Sequence, residues 1–163
     1  MIERIEPGAG QESVWDYPRP PRVESSTRHV LVRFGGVTIA ESRTTYRLLE
    51  LAHPPVYFIP PHHVRLELLS LSGHRVEDEG LGMAGYYDVS LDGRVARNVA
   101  RVFVHPLPDY RMLRGHLAFY PGRLDEAFVD GERVNAQPGG HYGGWITGDV
   151  VGPFKGVPGS WTW

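Results

Sequence analysis

Three histidines and four prolines crowd the stretch His53-Pro-Pro-Val-Tyr-Phe-Ile-Pro-Pro-His-His-Val64. Imidazole is the one side chain whose ordinary titration falls near neutral pH, so it can donate or take a proton there or ligate a metal. The flanking proline pairs hold the backbone rigid. A second histidine of the same kind, His116, stands in Gly-His-Leu-Ala-Phe-Tyr-Pro121. Together these segments describe a pocket walled by His53, Tyr57, His116 and Tyr120, apolar with a few polar groups, as small-molecule sites are. His53 and His116 are its candidates for general acid–base work. Arg19 and Arg43 are placed to recognise an anionic group. Trp15 and Tyr17 in Trp15-Asp-Tyr-Pro-Arg-Pro-Pro-Arg22 add aromatic surface.

Other chemistries are set aside. Cysteine is absent, which removes disulfides, thiolate nucleophiles and thiolate-held metals. His62 and His63 are neighbours and would point about 100° apart on a helix, so no metal is expected. There is no phosphate loop, nucleophile elbow, zinc helix or calcium loop, and no cofactor is called for. A net charge of −2 and scattered basic residues give no reason to expect nucleic acid as a partner. No apolar run is long enough to span a bilayer, and the start of the chain lacks a leader's character. The expectation is a cytoplasmic protein whose partner is a small molecule.

The elements that must position these residues are short strands. With 20 glycines and 14 prolines among 163 residues, turns dominate. Residues 1–28 read as an extended proline-rich arm. Residues 29–136 form the β-rich core domain, and 137–163 a glycine and aromatic tail that packs on it. Three hairpins share one design: strands turning at Gly35-Gly36, Asp92-Gly93 and Asp130-Gly131, dipeptides suited to primed turns. Val56–Ile59 and Leu117–Tyr120 read as further strands. Short helices are expected over Thr44–Ala52, from Pro60 to Leu69, and over Tyr110–Arg114 with Asp109 as cap. Residues 70–85 read as a loop. The fold class is therefore mostly β, with compact antiparallel sheets and two or three short helices.

Four segments in order resemble domain-of-unknown-function family 427, which also carries a nucleotidyltransferase-like label. They are Val14-Trp-Asp-Tyr-Pro-Arg-Pro-Pro-Arg, Phe34-Gly-Gly-Val-Thr-Ile-Ala-Glu-Ser, Ala52-His-Pro-Pro-Val-Tyr-Phe-Ile-Pro and Gly115-His-Leu-Ala-Phe-Tyr-Pro. The resemblance runs from about residue 14 to 136. It implies a fold of the Mss4-like, tent-shaped kind (a β-tent) and no settled reaction. The chain departs from the pattern at Asp78–Gly85, where the family usually carries a lysine, and at Asn98–Phe103, where Arg101 replaces a tryptophan. Lys155, in Pro-Phe-Lys-Gly, is a candidate to replace the missing lysine. Nucleotidyl transfer is the less favoured reading: Asp92 and Asp130 are explained by turn geometry rather than Mg²⁺ binding. The alternative to a ligand pocket is a self-association or protein-interaction module, a homodimer included, built on the arm and the aromatic tail.

Overall fold

The computed structural model describes residues 2–163. Its strands, in chain order, begin with β1 (Glu12–Ser13), β2 (Arg22–Ser26), β3 (Val30–Phe34), β4 (Val37–Ser42), β5 (Thr45–Leu49) and β6 (Val56–Phe58). The middle of the chain carries β7 (Leu69–Asp78), β8 (Gly82–Leu91), β9 (Arg94–Pro106) and β10 (Leu117–Phe119). Then come β11 (Glu126–Val129), β12 (Glu132–Arg133), β13 (Asn135–Ala136), β14 (Trp145–Ile146) and β15 (Val150–Val151). The larger sheets run β10-β9-β8-β7, β12-β11-β3-β4 and β2-β5-β6, and every pairing within them is antiparallel. None of the described helices is long and apolar enough to cross a membrane.

The hairpins form as their turn dipeptides dictate. Gly35-Gly36, Asp92-Gly93 and Asp130-Gly131 all take positive φ, between 48° and 81°. That left-handed pair matches the right-handed twist of the flanking strands. The two aspartates are turn residues, as their position in Asp-Gly suggests.

Two sequence expectations fail for one reason, tertiary context. Thr45–Leu49 is a strand, not a helix. Arg47 and Leu49 are buried on one face, Leu48 on the other, and β5 is the middle strand of its sheet. A strand buried on both faces lacks the alternation that would distinguish it from a helix. Residues 70–85 are not a loop but most of β7 and the start of β8. Most of β7's residues are exposed, so backbone bonds to β8 hold it rather than any apolar face. The helices expected from Pro60 to Leu69 and after Asp109 are 3-10 turns: Pro61–His63, Leu66–Leu68 and Pro108–Leu113. Asp109 caps nothing, and Leu107 takes the cap position. There is no α-helix among the described residues.

The main core lies between the β3/β4/β11 face and the β8/β9/β10 face. A bridge joins β6 to β10, Ile59 and Leu117 exchanging both backbone bonds at 2.8 and 2.9 Å. A second cluster, around Phe58, Phe103 and Leu113, packs the three-stranded sheet against β8 and β9. Trp145 enters the main core from the tail, fully buried, with its ring centroid 5.0 Å from that of Tyr57. Its indole N–H donates to Phe119 O at 2.9 Å and its backbone N–H to Pro55 O at 2.8 Å.

Truncating Trp145 to alanine is expected to cost about 3–5 kcal/mol. Trp161, in the same tail but 58% exposed, should lose no more than about 0.5 kcal/mol on the same change. Urea midpoints of the two variants against the parent chain check this contrast.

Candidate functional site

His53 sits where three backbone anchors meet. Ala52 takes φ 72°, an uncommon value for a residue with a Cβ. It donates to Val14 O at 3.0 Å and accepts from Lys155 N–H at 2.8 Å. Two residues after His53, Pro55 O receives Trp145 N–H. The proline pair thus fixes His53 between two points where the tail is fastened.

The tail then locks the ring. Gln137 Oε1 accepts from Gly144 N–H at 3.1 Å, which assigns the amide orientation. Its Nε2 donates to Lys155 O at 2.8 Å and to His53 Nδ1 at 3.0 Å. An Nδ1 that accepts leaves the proton on Nε2, so His53 is a neutral imidazole with Nε2–H as its remaining donor. Gly144 must be glycine, since a Cβ there would lie 2.5 Å from Gln137 Oε1 and 2.8 Å from Pro54.

Around this ring lies a cavity of about 250 Å³. Glu50, His53, Asp78, Arg101, Tyr120, Gln137, Tyr142 and Lys155 are among its lining residues. Tyr142 meets His53 edge to face, centroids 4.8 Å apart, and Lys155 Nζ stands 5.7 Å from the Tyr142 ring. Lys155 Nζ also donates to Trp163 O at 3.3 Å. Arg19 stands just outside, its Nε 3.8 Å from Glu50 Oε2. Arg101 faces Asp78 at 3.7 Å.

Burial and charge tune these groups in different directions. Burial, reinforced by Lys155 and Arg19, lowers the His53 pKa to about 4. Burial raises the Glu50 carboxyl; Arg19, Lys155 and Arg101 oppose that shift and Asp78 adds to it. Burial raises the Tyr120 phenol to about 12, with Arg101 opposing and Tyr86 adding. Near neutral pH the cavity therefore offers two uncharged donors, the imidazole N–H and the phenol, beside cations.

The structure does not bring together all the residues singled out in the sequence. His53 and Tyr120 share the cavity, with Arg19 at its edge. His116 and Arg43 line a different pocket of about 330 Å³ with Tyr46, Pro60 and His62. There His116 packs on Tyr46, centroids 5.4 Å apart, and burial lowers its pKa. Tyr57 is a core residue. Tyr17 donates to Glu12 at 3.0 Å and Trp15 to Pro153 O at 2.8 Å, so both fasten the arm. The aromatic tail largely covers the core: Trp145 is buried and Trp163 lies on Trp15, centroids 5.4 Å apart.

Glu50, Asp78, Arg101, Gln137, Tyr142 and Lys155 were not recognisable as one site from spacing. Two carried a signal singly: Lys155, through Pro-Phe-Lys-Gly and as the only lysine in the chain, and Arg101, in the place of a tryptophan. Lys155 faces the same cavity as Asp78 and Gly80.

A family profile described as Domain of unknown function (DUF427) matches residues 22–130, about two thirds of the chain. The second, third and fourth sequence segments noted above fall inside that range, and the first lies before it except for Arg22. No curated protein matches the chain.

His53 gives a pH test of this geometry. Its folded pKa of about 4 lies below the ordinary 6.5, so the unfolded chain binds the proton more tightly. Its contribution is intact above pH 6.5 and is lost as pH falls toward 4, reaching about 3 kcal/mol. Replacing His53 with Gln should flatten the loss of stability over that window. Urea midpoints at several pH values would show it, and parallel curves for the two proteins would refute the assignment.

Proposed function

The chain belongs to the DUF427 family, and we propose that in this member the cavity beside His53 binds a small organic anion. The observation that carries the reading is the Gln137 lock, which occupies His53 Nδ1 and leaves Nε2–H as the donor of an imidazole that lines the cavity with Lys155 and Arg101. A carboxylate or phosphate oxygen is the natural acceptor for a neutral N–H flanked by two cations. Arg19, Arg101 and Lys155 outnumber Glu50 and Asp78 around the cavity, so the local field favours negative charge. A volume of about 250 Å³ suits a ligand of metabolite size.

The geometry gives proton exchange to Glu50 rather than His53. The imidazole stays neutral and its Nδ1 lone pair is taken, so it is a hydrogen-bond donor and not a base. Burial raises the Glu50 carboxyl above its ordinary range, which makes it the cavity's better candidate to exchange a proton. Nucleotidyl transfer fits less well. Its Mg²⁺ needs several converging carboxylates, and no group of three or more acidic or histidine side chains gathers to hold a metal among the described residues. The Mss4-like tent is the fold reading that accompanies this proposal, with the four-stranded sheets as its two slopes. Homodimerisation through the tail is disfavoured because Trp145 is already buried and Trp163 packs on Trp15, which leaves Trp161 as the tail's one exposed tryptophan.

A thermal-shift screen of small carboxylates and phosphates tests the reading. A ligand at a hundredfold its Kd should add about 2.7 kcal/mol, or roughly 5–10 °C. Lys155→Met should weaken the hit by about 1.5–3 kcal/mol. Because Lys155 is the only lysine, an amine-directed reagent followed by mass spectrometry reports on it alone among side chains, and the hit should protect it. A hit that neither protects Lys155 nor responds to its loss would place the ligand elsewhere.

The pH dependence follows from Glu50. As pH falls, its raised pKa neutralises it before an ordinary carboxylate, removing a negative charge from the cavity. Anion affinity should therefore rise as pH falls, beginning above the ordinary carboxylate range. Titration calorimetry on Glu50→Gln should show tight binding at pH 7 and little change on acidification.

A further inference from the structure

Strand β7 ends its sheet. It is bonded to β8 on one side, and no other described strand pairs with it. An exposed edge is a template for another strand, and proteins usually blunt such edges with brevity, proline, charge, a bulge or a cover; here a register irregularity between Leu71 and Arg75 leaves Arg75–Asp78 as the regularly paired stretch. The edge has no proline, and it exposes Leu71 (58%) and Val76 (39%).

The backbone alternation shows which groups are free. Leu81 O accepts from Leu107 N–H at 2.7 Å and faces β9, while Leu81 N–H donates to Asp78 O at 3.1 Å, so the Asp78 carbonyl turns toward β8. Gly82 and Ala84 then turn theirs toward β7, where their partners are Asp78 and Val76. That leaves the N–H and C=O of Arg75 and Glu77 directed away from the sheet. Both residues are exposed, and neither has an ion-pair partner among the described residues.

The residues at this edge are self-complementary. In His74-Arg75-Val76-Glu77-Asp78, a two-fold axis through Val76 sets each Arg75 opposite the Glu77 of a second copy. The same axis sets Val76 against Val76 and His74 against Asp78. Residues directly opposite in an antiparallel pair share a face, so the opposite charges meet side by side. The free backbone groups of Arg75 and Glu77 fall in the hydrogen-bonded positions of that pairing.

We propose that two copies of this chain associate through β7, antiparallel about Val76, joining their four-stranded sheets into one. The partner is a second copy because the charge pattern matches itself. The association also completes a binding surface. His74, Val76 and Asp78 line an outer groove of about 590 Å³ with Tyr86, Tyr120 and Arg123. That groove adjoins the His53 cavity through Asp78, Arg101, Tyr120 and Tyr142. A second copy laid along β7 gives the groove its far wall.

Sedimentation of the full chain tests this without reference to any ligand. The expected species at micromolar concentration has twice the 18.3 kDa mass. Arg75→Glu and Glu77→Arg each place like charges opposite one another twice by symmetry, and each should raise the dimer dissociation constant at least about tenfold. The double exchange R75E/E77R restores the pairing and should restore the dimer. Circular dichroism and urea midpoints establish that each variant is folded. A wild-type monomer up to millimolar concentration would overturn the proposal and leave the edge to a strand of another protein. So would a dimer indifferent to both single reversals, or a double exchange that stays monomeric.

Discussion

The burial of Trp145 is the constraint on which the rest of the site depends. An indole can be fully buried only where its N–H finds an acceptor. Here the acceptor is Phe119 O on β10, while the backbone of the same residue is bonded to Pro55 beside β6. Those two strands are themselves joined by the Ile59–Leu117 bridge. Trp145 therefore inserts the tail at the junction of two sheets. With that residue in place, the segment from Gln137 to Gly144 has both ends fixed, and it delivers Gln137, His141 and Tyr142 to the mouth of the cavity. The return past Gly152 brings Lys155 back against Ala52. A cavity wall built from irregular backbone is thus held as firmly as one built from strands.

Perturbed ionisation alone would not have located this site. Arg47 is more deeply buried than any charged group of the cavity, and its pKa is raised. Burial opposes that shift, but the paired carboxylates of Glu12 and Glu24 overcome it. That cluster is closed: each polar group of Arg47 is spent on a partner, and the arm is fastened by it. The His53 cavity differs in being incompletely paired. Its acid–cation separations are 3.7 and 3.8 Å between partly exposed groups, worth little each. Arg101 and Lys155 match Glu50 and Asp78 in number on the lining, Arg19 adds a cation at the edge, and two neutral donors belong to the same lining. Closed ion clusters hold structure, and open ones are available to a ligand.

Much of the sheet system was legible because its signals are local. Gly35-Gly36, Asp92-Gly93 and Asp130-Gly131 need left-handed backbone, and only a few residue types supply it cheaply. What was hidden depended on neighbours distant in sequence. β5 reads as helix until β2 and β6 cover both its edges, and β7 reads as loop because its bonds, not its side chains, make it a strand. At the site the same division holds. His53 stood out because two prolines follow it and a second pair comes soon after. His116 looked equivalent, with an apolar strand after it, yet it opens on another surface beside Tyr46. Gln137 carries no signal at all, since a glutamine's role as a lock exists only once Gly144 and Lys155 are folded against it.

The extent of the family match divides the cavity in two. Glu50, His53, Asp78, Arg101 and Tyr120 lie within residues 22–130, whereas Gln137, His141, Tyr142 and Lys155 lie beyond them. The matched part supplies the donors and one cation on a sheet framework. The remainder supplies the lock that sets the tautomer of His53, the aromatic lip and the only ammonium group. A chain with the same matched region and a different tail would keep the imidazole but lose control of which nitrogen carries its proton. The make-up of this cavity is therefore set as much by the segment outside the matched region as by the sheets within it.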